Sequence, residues 1–169
     1  LSGLLQQGLQ YWTSQHGVGP AKACQLWAAQ ELCRRSQGAT VRPRINSPKA
    51  AGAYLMPRCQ GYTEERFGLL ALNAKGDLLA ERILSQGTST ATLISPREFF
   101  REALRFGATT ALAFHNHPSG DPSPSREDIQ LTRRLRTAGE SLGVALADHL
   151  ILGCESFHSF RAAEGWDRE

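Results

Sequence analysis

Residues 109–128 constrain this chain more than any other stretch, because they read as strand, loop and helix start in unbroken succession. Residues 109–114 form a short apolar run that delivers directly into His115-Asn116-His117. Residues 118–124 are all Pro, Ser, Gly or Asp, which favour turns over regular structure. Ser125-Arg126-Glu127-Asp128 then enters a helical pattern that runs to about residue 142. In extended backbone, residues i and i+2 point to the same side, so His115 and His117 can face one point. The loop can turn back on itself, and Asp128 then presents a carboxylate from the first turn of the helix. Two neutral imidazoles and one carboxylate with an open fourth position suit one catalytic zinc ion per chain. A water bound there can have its pKa lowered to about 7.

Such a site also needs a general base. Glu64 and Glu65 precede the apolar run at residues 67–72, and spacing alone does not choose between them. Taken singly, each element has a plain structural use. Ser-x-x-Asp is a common helix cap, and one histidine near a strand end usually packs or is solvated. Their combination at this spacing is what points to a metal. His-Asn-His is not the signature of an HNH nuclease, whose residues are scattered across a different motif.

Outside this unit the pattern divides the chain in two. Leu1, Leu4, Leu5, Leu9 and Trp12 recur at helical intervals, as do Ala23, Leu26, Trp27 and Leu32. His16-Gly17-Val18-Gly19-Pro20 lies between them, with glycines for a tight turn and a proline for the first helical position. Arg34 and Arg35 close the second helix. Residues 1–37 are therefore expected to form a small helical hairpin, and the polar, aperiodic residues 36–46 a linker. A second domain is expected over residues 47–169. It would comprise a helix from Ser47-Pro48 to about residue 55, strands at 67–72 and 78–84, and a turn at 73–76. A helix at 96–105 is capped by Ser95, with Glu98 closing a capping box. The strand at 109–114 and the helix to residue 142 follow, then two short strands at 144–146 and 150–152. Strands alternating with helices imply an α/β sandwich.

Composition sets outer limits. Apolar residues make up 41% and charged residues 21% of the 169, and no run approaches the ~18 apolar residues of a membrane span. No basic patch followed by an apolar block opens the chain, so a cytoplasmic protein without membrane partners is expected. The chain begins at Leu1, which suggests a piece of a longer protein. Cys24, Cys33, Cys59 and Cys154 form no C-x-x-C pair, so reduced thiols are expected rather than a zinc ribbon or a disulfide scaffold. A net charge of +3 is compatible with a nucleic-acid partner without arguing for one.

His115-x-His117, seven residues, then Ser125-x-x-Asp128, with an upstream glutamate, resembles the JAMM (MPN+) metalloprotease signature. The longer string His-Asn-His-Pro-Ser-Gly-Asp-Pro-Ser-Pro-Ser-Arg-Glu-Asp is similar to the version in the bacterial RadC family. Ser95-Pro96-Arg97-Glu98, Thr132-Arg133-Arg134-Leu135, Asp148-His149-Leu150 and the glycine-containing stretch at 17–23 extend the likeness over essentially the whole chain. The resemblance implies a deaminase-like α/β sandwich with a central mixed sheet, and zinc held by His115, His117 and Asp128. Family members read Glu-x-Phe before the strand, which selects Glu65 over Glu64 as the base acting on a peptide or protein substrate. Ser125 would donate a hydrogen bond to the oxyanion, beside its capping role. Cytidine deaminases share the architecture, but their His-x-Glu and Pro-Cys-x-x-Cys are absent.

Asp148 and His149 read first as a strand-end pair held by a buried hydrogen bond. Their functional alternative is a second shell that orients a ligand or substrate. His16 and His158 read as surface residues. Gly17, Gly19 and Lys22 resemble half of a helix-hairpin-helix element that holds a DNA phosphate, against the plainer reading of a tight turn. Two functional classes follow: a zinc-dependent peptidase or isopeptidase, and a DNA-associated repair or recombination protein whose metal domain acts on or binds nucleic acid.

Overall fold

A computed structural model describes residues 8–37, 42–87 and 94–165, and the chain divides into two compact units, Leu1–Val41 and Arg42–Glu169. In the first, α1 (Leu9–Thr13) and α2 (Pro20–Gln37) are joined by a turn in which Gly17 takes φ +76°. That left-handed conformation is cheap for glycine alone. Trp12 Nε1 donates to Gln30 Oε1 at 2.8 Å, and Ala23 is fully buried. Pro20 occupies the first helical position, and the helix continues past Arg35 to Gln37. The helical expectation for residues 1–7 lies outside the described residues.

The second unit is a mixed sheet of five strands in the order β2-β1-β3-β4-β5. These are β1 (Arg66–Leu72), β2 (Leu78–Gln86), β3 (Thr110–Asn116), β4 (Ala145–Leu152) and β5 (Phe157–Ser159). Helix α3 (Pro48–Cys59) precedes β1, α4 (Pro96–Arg105) precedes β3, α5 (Arg126–Leu142) joins β3 to β4, and α6 (Phe160–Glu164) follows β5. Only β3 and β4 run parallel, and parallel neighbours need a long crossover, which α5 supplies. Six helices and five strands among the described residues make this a mixed α/β fold.

Alternation of side chains across the sheet builds two cores. Phe67, Leu69, Ala71, Ala111 and Ala113 face α4 and α5, meeting Phe99, Phe100, Leu131 and Leu135. Leu70, Leu72, Leu112, Phe114, Leu150 and Leu152 face α3 through Ala51 and Leu55. β1 is covered on both faces and so reads as a continuous apolar run, whereas edge strand β2 is largely half-exposed. Gly68 permits this packing, because a Cβ there would lie 2.5 Å from the Phe114 ring. No helix among the described residues is long and apolar enough to cross a membrane.

Four expectations need correction. The strands expected at 144–146 and 150–152 are one strand, β4. The polar pair Asp148-His149 does not interrupt it, because both side chains find buried partners. The helix expected to end near residue 55 runs through Pro57 to Cys59, where Met56 and Cys59 pack against the core on that face of the sheet. Residues 42–46 pack rather than dangle: Ile45 N–H donates to Gly76 O at 2.8 Å, and Ile45 is buried. Residues 36 and 37, also assigned to the linker, belong to α2. At α4 the Ser95 hydroxyl accepts from Glu98 N–H. The reciprocal box forms at α5, where Ser125 Oγ accepts from Asp128 N–H while Asp128 Oδ2 accepts from Ser125 N–H.

Candidate metal centre

Strand β3 carries His115 on the α4/α5 side, in series with Ala111 and Ala113. Beyond its end the chain curls: His117 N–H donates to Leu152 O, and Gly120 N–H donates to His117 O, both at 2.9 Å. Gly120 takes φ +84° where an added Cβ would strike Cys154 Sγ, so the turn has little room for another residue. The loop then returns Asp128 to His115. His115 Nε2 lies 3.0 Å from His117 Nε2 and 3.1 Å from Asp128 Oδ1, and His117 Nε2 lies 3.6 Å from Asp128 Oδ2. One donor atom from each residue falls within 4.8 Å of the others. Among the described residues this is the one such group of three or more.

Electrostatics here favour a carboxylate. Burial works against ionisation of Asp128, which is 2% exposed, but the close His115 and His117 rings and the hydrogen bond from Ser125 prevail. They hold its carboxyl well below the usual range. His117 is shifted upward by its hydrogen-bonding interaction with Asp128, against the opposing effect of burial, with the Asp121 carbonyl and the Glu65 charge adding to the rise. Its Nδ1 lies 2.8 Å from that carbonyl. Because a carbonyl only accepts, Nδ1 carries a proton, and Nε2 is the nitrogen left for a metal. Nitrogen and oxygen donors converging in this way suit a divalent metal, with imidazole favouring zinc over magnesium or calcium.

Glu65 stands immediately before β1. Phe67 pairs with His115 in the antiparallel β1–β3 ladder, and Glu65, two residues earlier, is near enough for its charge to act on His117. Asn116 clamps this approach. Its Oδ1 accepts from Arg66 N–H at 2.9 Å and its Nδ2 donates to Glu64 O at 3.1 Å, bridging the residues on either side of Glu65. Gly87 N–H donates to Glu65 O as well. Glu64 is exposed, with its side chain accepting from Gln86.

Asn116 did not emerge from sequence reasoning, although it is the centre of His-Asn-His. Nor did Thr132, whose hydroxyl reaches His149. The His149 ring is fully buried, and burial places its pKa well below the ordinary histidine value. Its Nε2 lies 2.9 Å from His115 Nδ1. Asp148 points to the opposite face of β4, where it accepts from Ser159 Oγ, His149 N–H and Arg161 N–H. Adjacent residues of the proposed pair thus serve different places. Gly17, Gly19 and Lys22 lie in the helical unit, with Lys22 exposed in the first turn of α2. Ser125 is exposed at the mouth of the site and donates to Asp128 Oδ2 at 2.6 Å.

The RadC-like JAB domain family matches residues 45–166. A UPF0758 protein of Syntrophotalea carbinolica is 46% identical over 145 residues, covering 85% of this chain and 64% of the relative. One from Desulforudis audaxviator is 39% identical over 163 residues, covering 95% of this chain and 71% of the relative. Another, from Nostoc, is 47% identical over 149 residues, covering 86% and 60%. The chain thus spans roughly 60–71% of the length of these relatives. It belongs to the RadC-like JAB domain family, and its His-His-Asp group fits a metal-dependent hydrolase.

Proposed function

We propose that this member of the RadC-like JAB domain family is a zinc-dependent peptidase or isopeptidase acting in the cytoplasm, where free thiols such as Cys59 and Cys154 persist. The observation that carries this reading is the convergence of His115 Nε2, His117 Nε2 and the Asp128 carboxylate, and the charge of Glu65 acting on His117 supports its part in it. One zinc per chain would be held by His115, His117 and Asp128. When bound, it would supply a lowered water pKa and polarise a carbonyl.

The chain's own groups carry the remaining steps. The Glu65 carboxylate takes a proton from the attacking water and returns it to the departing amine nitrogen. Asn116 keeps Glu65 in place by tying down the backbone on both sides of it. Ser125 Oγ is exposed and gives its one proton to Asp128 Oδ2; turned away from that oxygen, it would donate instead to the oxyanion that forms on the substrate carbonyl. Beside His117 lies a cleft of about 340 Å³, lined by Met56, Tyr62, Asn116, Leu152 and Cys154 among others. Its mixed lining supports occupation by an extended peptide segment.

DNA as the target draws less support from this site. Two imidazoles and one carboxylate suit one zinc better than the oxygen-rich or paired-metal arrangements usual for phosphodiester chemistry. Metal analysis of the purified chain is expected to find about one zinc per chain, lost in His115→Ala and His117→Ala variants. Glu65→Gln should keep the metal while abolishing hydrolysis in a screen of peptide and isopeptide substrates. A chain without zinc, or a fully active Glu65→Gln variant, overturns the reading.

A further inference from the structure

We propose that Thr132 and His149 are positioning residues that commit His115 to metal binding through Nε2. This rests on the metal-site reading above and extends it to residues that no comparison assigns. The two histidine ligands face the same requirement: each must keep its Nε2 lone pair free. His117 meets it simply, by donating Nδ1–H to the Asp121 carbonyl at 2.8 Å. His115 has no such acceptor. Its Nδ1 faces His149 Nε2 at 2.9 Å, and an imidazole nitrogen can either donate or accept.

Thr132 removes the ambiguity. Its Oγ1 lies 2.6 Å from Asp128 O and 2.6 Å from His149 Nδ1. A hydroxyl has one proton, and a carbonyl oxygen can only accept. If Thr132 donated to His149, two oxygens would face each other at 2.6 Å with no proton between them. The proton therefore points to Asp128 O, and Thr132 Oγ1 accepts from His149 Nδ1–H. His149 Nε2 is then a bare acceptor that takes Nδ1–H of His115. His115 Nε2, 3.1 Å from Asp128 Oδ1 and 3.0 Å from His117 Nε2, is then the nitrogen whose lone pair a metal ion would take among these atoms. The reverse order would protonate His115 Nε2 and close it to a metal.

His115 and His149 are 0% exposed and Asp128 and Thr132 are 2% exposed, so solvent cannot scramble the order. The chain also closes on itself. It runs from ligand His115 on β3 through His149 on β4 and Thr132 on α5 back to ligand Asp128. Three elements are thereby held in one fixed arrangement before a metal arrives. Such outer partners set the tautomer and ring orientation of metal-bound histidines, and losing one typically weakens metal binding about 10–100-fold.

The test uses Zn²⁺ alone as the probe, in chelator competition with the whole chain. Thr132→Val is expected to weaken Zn²⁺ binding by about 10–100-fold, and Thr132→Ser to restore it. Nitrogen-15 spectra of the zinc-loaded wild-type protein should show His149 protonated at Nδ1 and bare at Nε2. That readout needs no variant to fold, and a merely structural role for Thr132 would not dictate it. A proton on His149 Nε2, or wild-type affinity in Thr132→Val, overturns the proposal while leaving the zinc site intact. A wild-type chain that binds no Zn²⁺ instead overturns the metal reading itself, and this proposal with it.

Discussion

Asp128 and Asp148 are buried alike, each 2% exposed, and each accepts a hydrogen bond at 2.6 Å from the serine that caps a helix. Ser125 caps α5 and Ser159 caps α6. Their titration is nevertheless displaced in opposite directions. Asp128 is held low, because its carboxylate faces two imidazoles that overcome the effect of burial. Asp148 is pushed up, because burial outweighs the hydrogen bonds from Ser159, Arg161 N–H and His149 N–H. Serine and aspartate at a helix start thus make a structural fastening in one place and a candidate ligand in the other. What separates them is the pair of imidazoles around the Asp128 carboxylate, which tertiary packing supplies.

Replacing each aspartate by asparagine should separate them most widely. Asp128→Asn removes a proposed ligand, so Zn²⁺ affinity is expected to fall by more than the ~10–100-fold typical of outer partners. Asp148→Asn should leave affinity near wild type, because Asp148 faces the opposite side of β4. Comparable losses in both, measured by chelator competition, would break the contrast.

The serines offer a finer division. Both Ser125→Ala and Ser159→Ala lose a cap, expected to cost about 1 kcal/mol in urea unfolding. Ser125→Ala should also lower kcat about 100- to 1,000-fold if Ser125 donates to the oxyanion. Ser159→Ala should leave kcat unchanged but cost a further ~1–3 kcal/mol, since buried Asp148 Oδ2 loses its donor. Equal kcat values for the two variants would remove Ser125 from the chemistry.

The smallest expected effect concerns pH. With its folded pKa raised, Asp148 binds its proton more tightly in the native than in the unfolded chain. Stability from this group is therefore fully present below the unfolded carboxyl value of ~3.9 and is lost as pH rises through the folded value. Comparing unfolding free energies across this window should show a shallower decline in Asp148→Asn than in wild type. An unchanged slope would mean that Asp148 is not the group responsible.

Much of the second unit was legible in the sequence because its signals are local. Ser47-Pro48, Ser95-Pro96 and Ser125 are capping residues, and each stands at the helix start expected of it. The strand before His115 and the turn around residues 73–76 were equally legible from apolar runs bounded by polar, glycine-containing segments. Legibility failed where distant contacts decide. Two short strands were expected because Asp148-His149 is polar, yet Ser159, Thr132 and His115 satisfy that pair and β4 runs on. Residues 42–46 lack periodicity, but the turn at Gly76 gives them hydrogen-bonding partners.

The same division holds within the site. The sequence by itself determined that two imidazoles two residues apart, a turn-rich loop and a helix-start carboxylate occur in one short stretch, because each follows from local spacing. Only the tertiary structure decided what surrounds them. The β1–β3 pairing sets Phe67 beside His115, and so brings Glu65, 50 residues before His115, near enough for its charge to act on His117. The β3–β4 pairing sets Ala113 beside His149, so that His149 reaches His115 from below while Asp148 turns to the other face. Strand register is set by burying apolar faces over long chain separations, and a one-residue slip would have sent each of these side chains to the wrong side of the sheet.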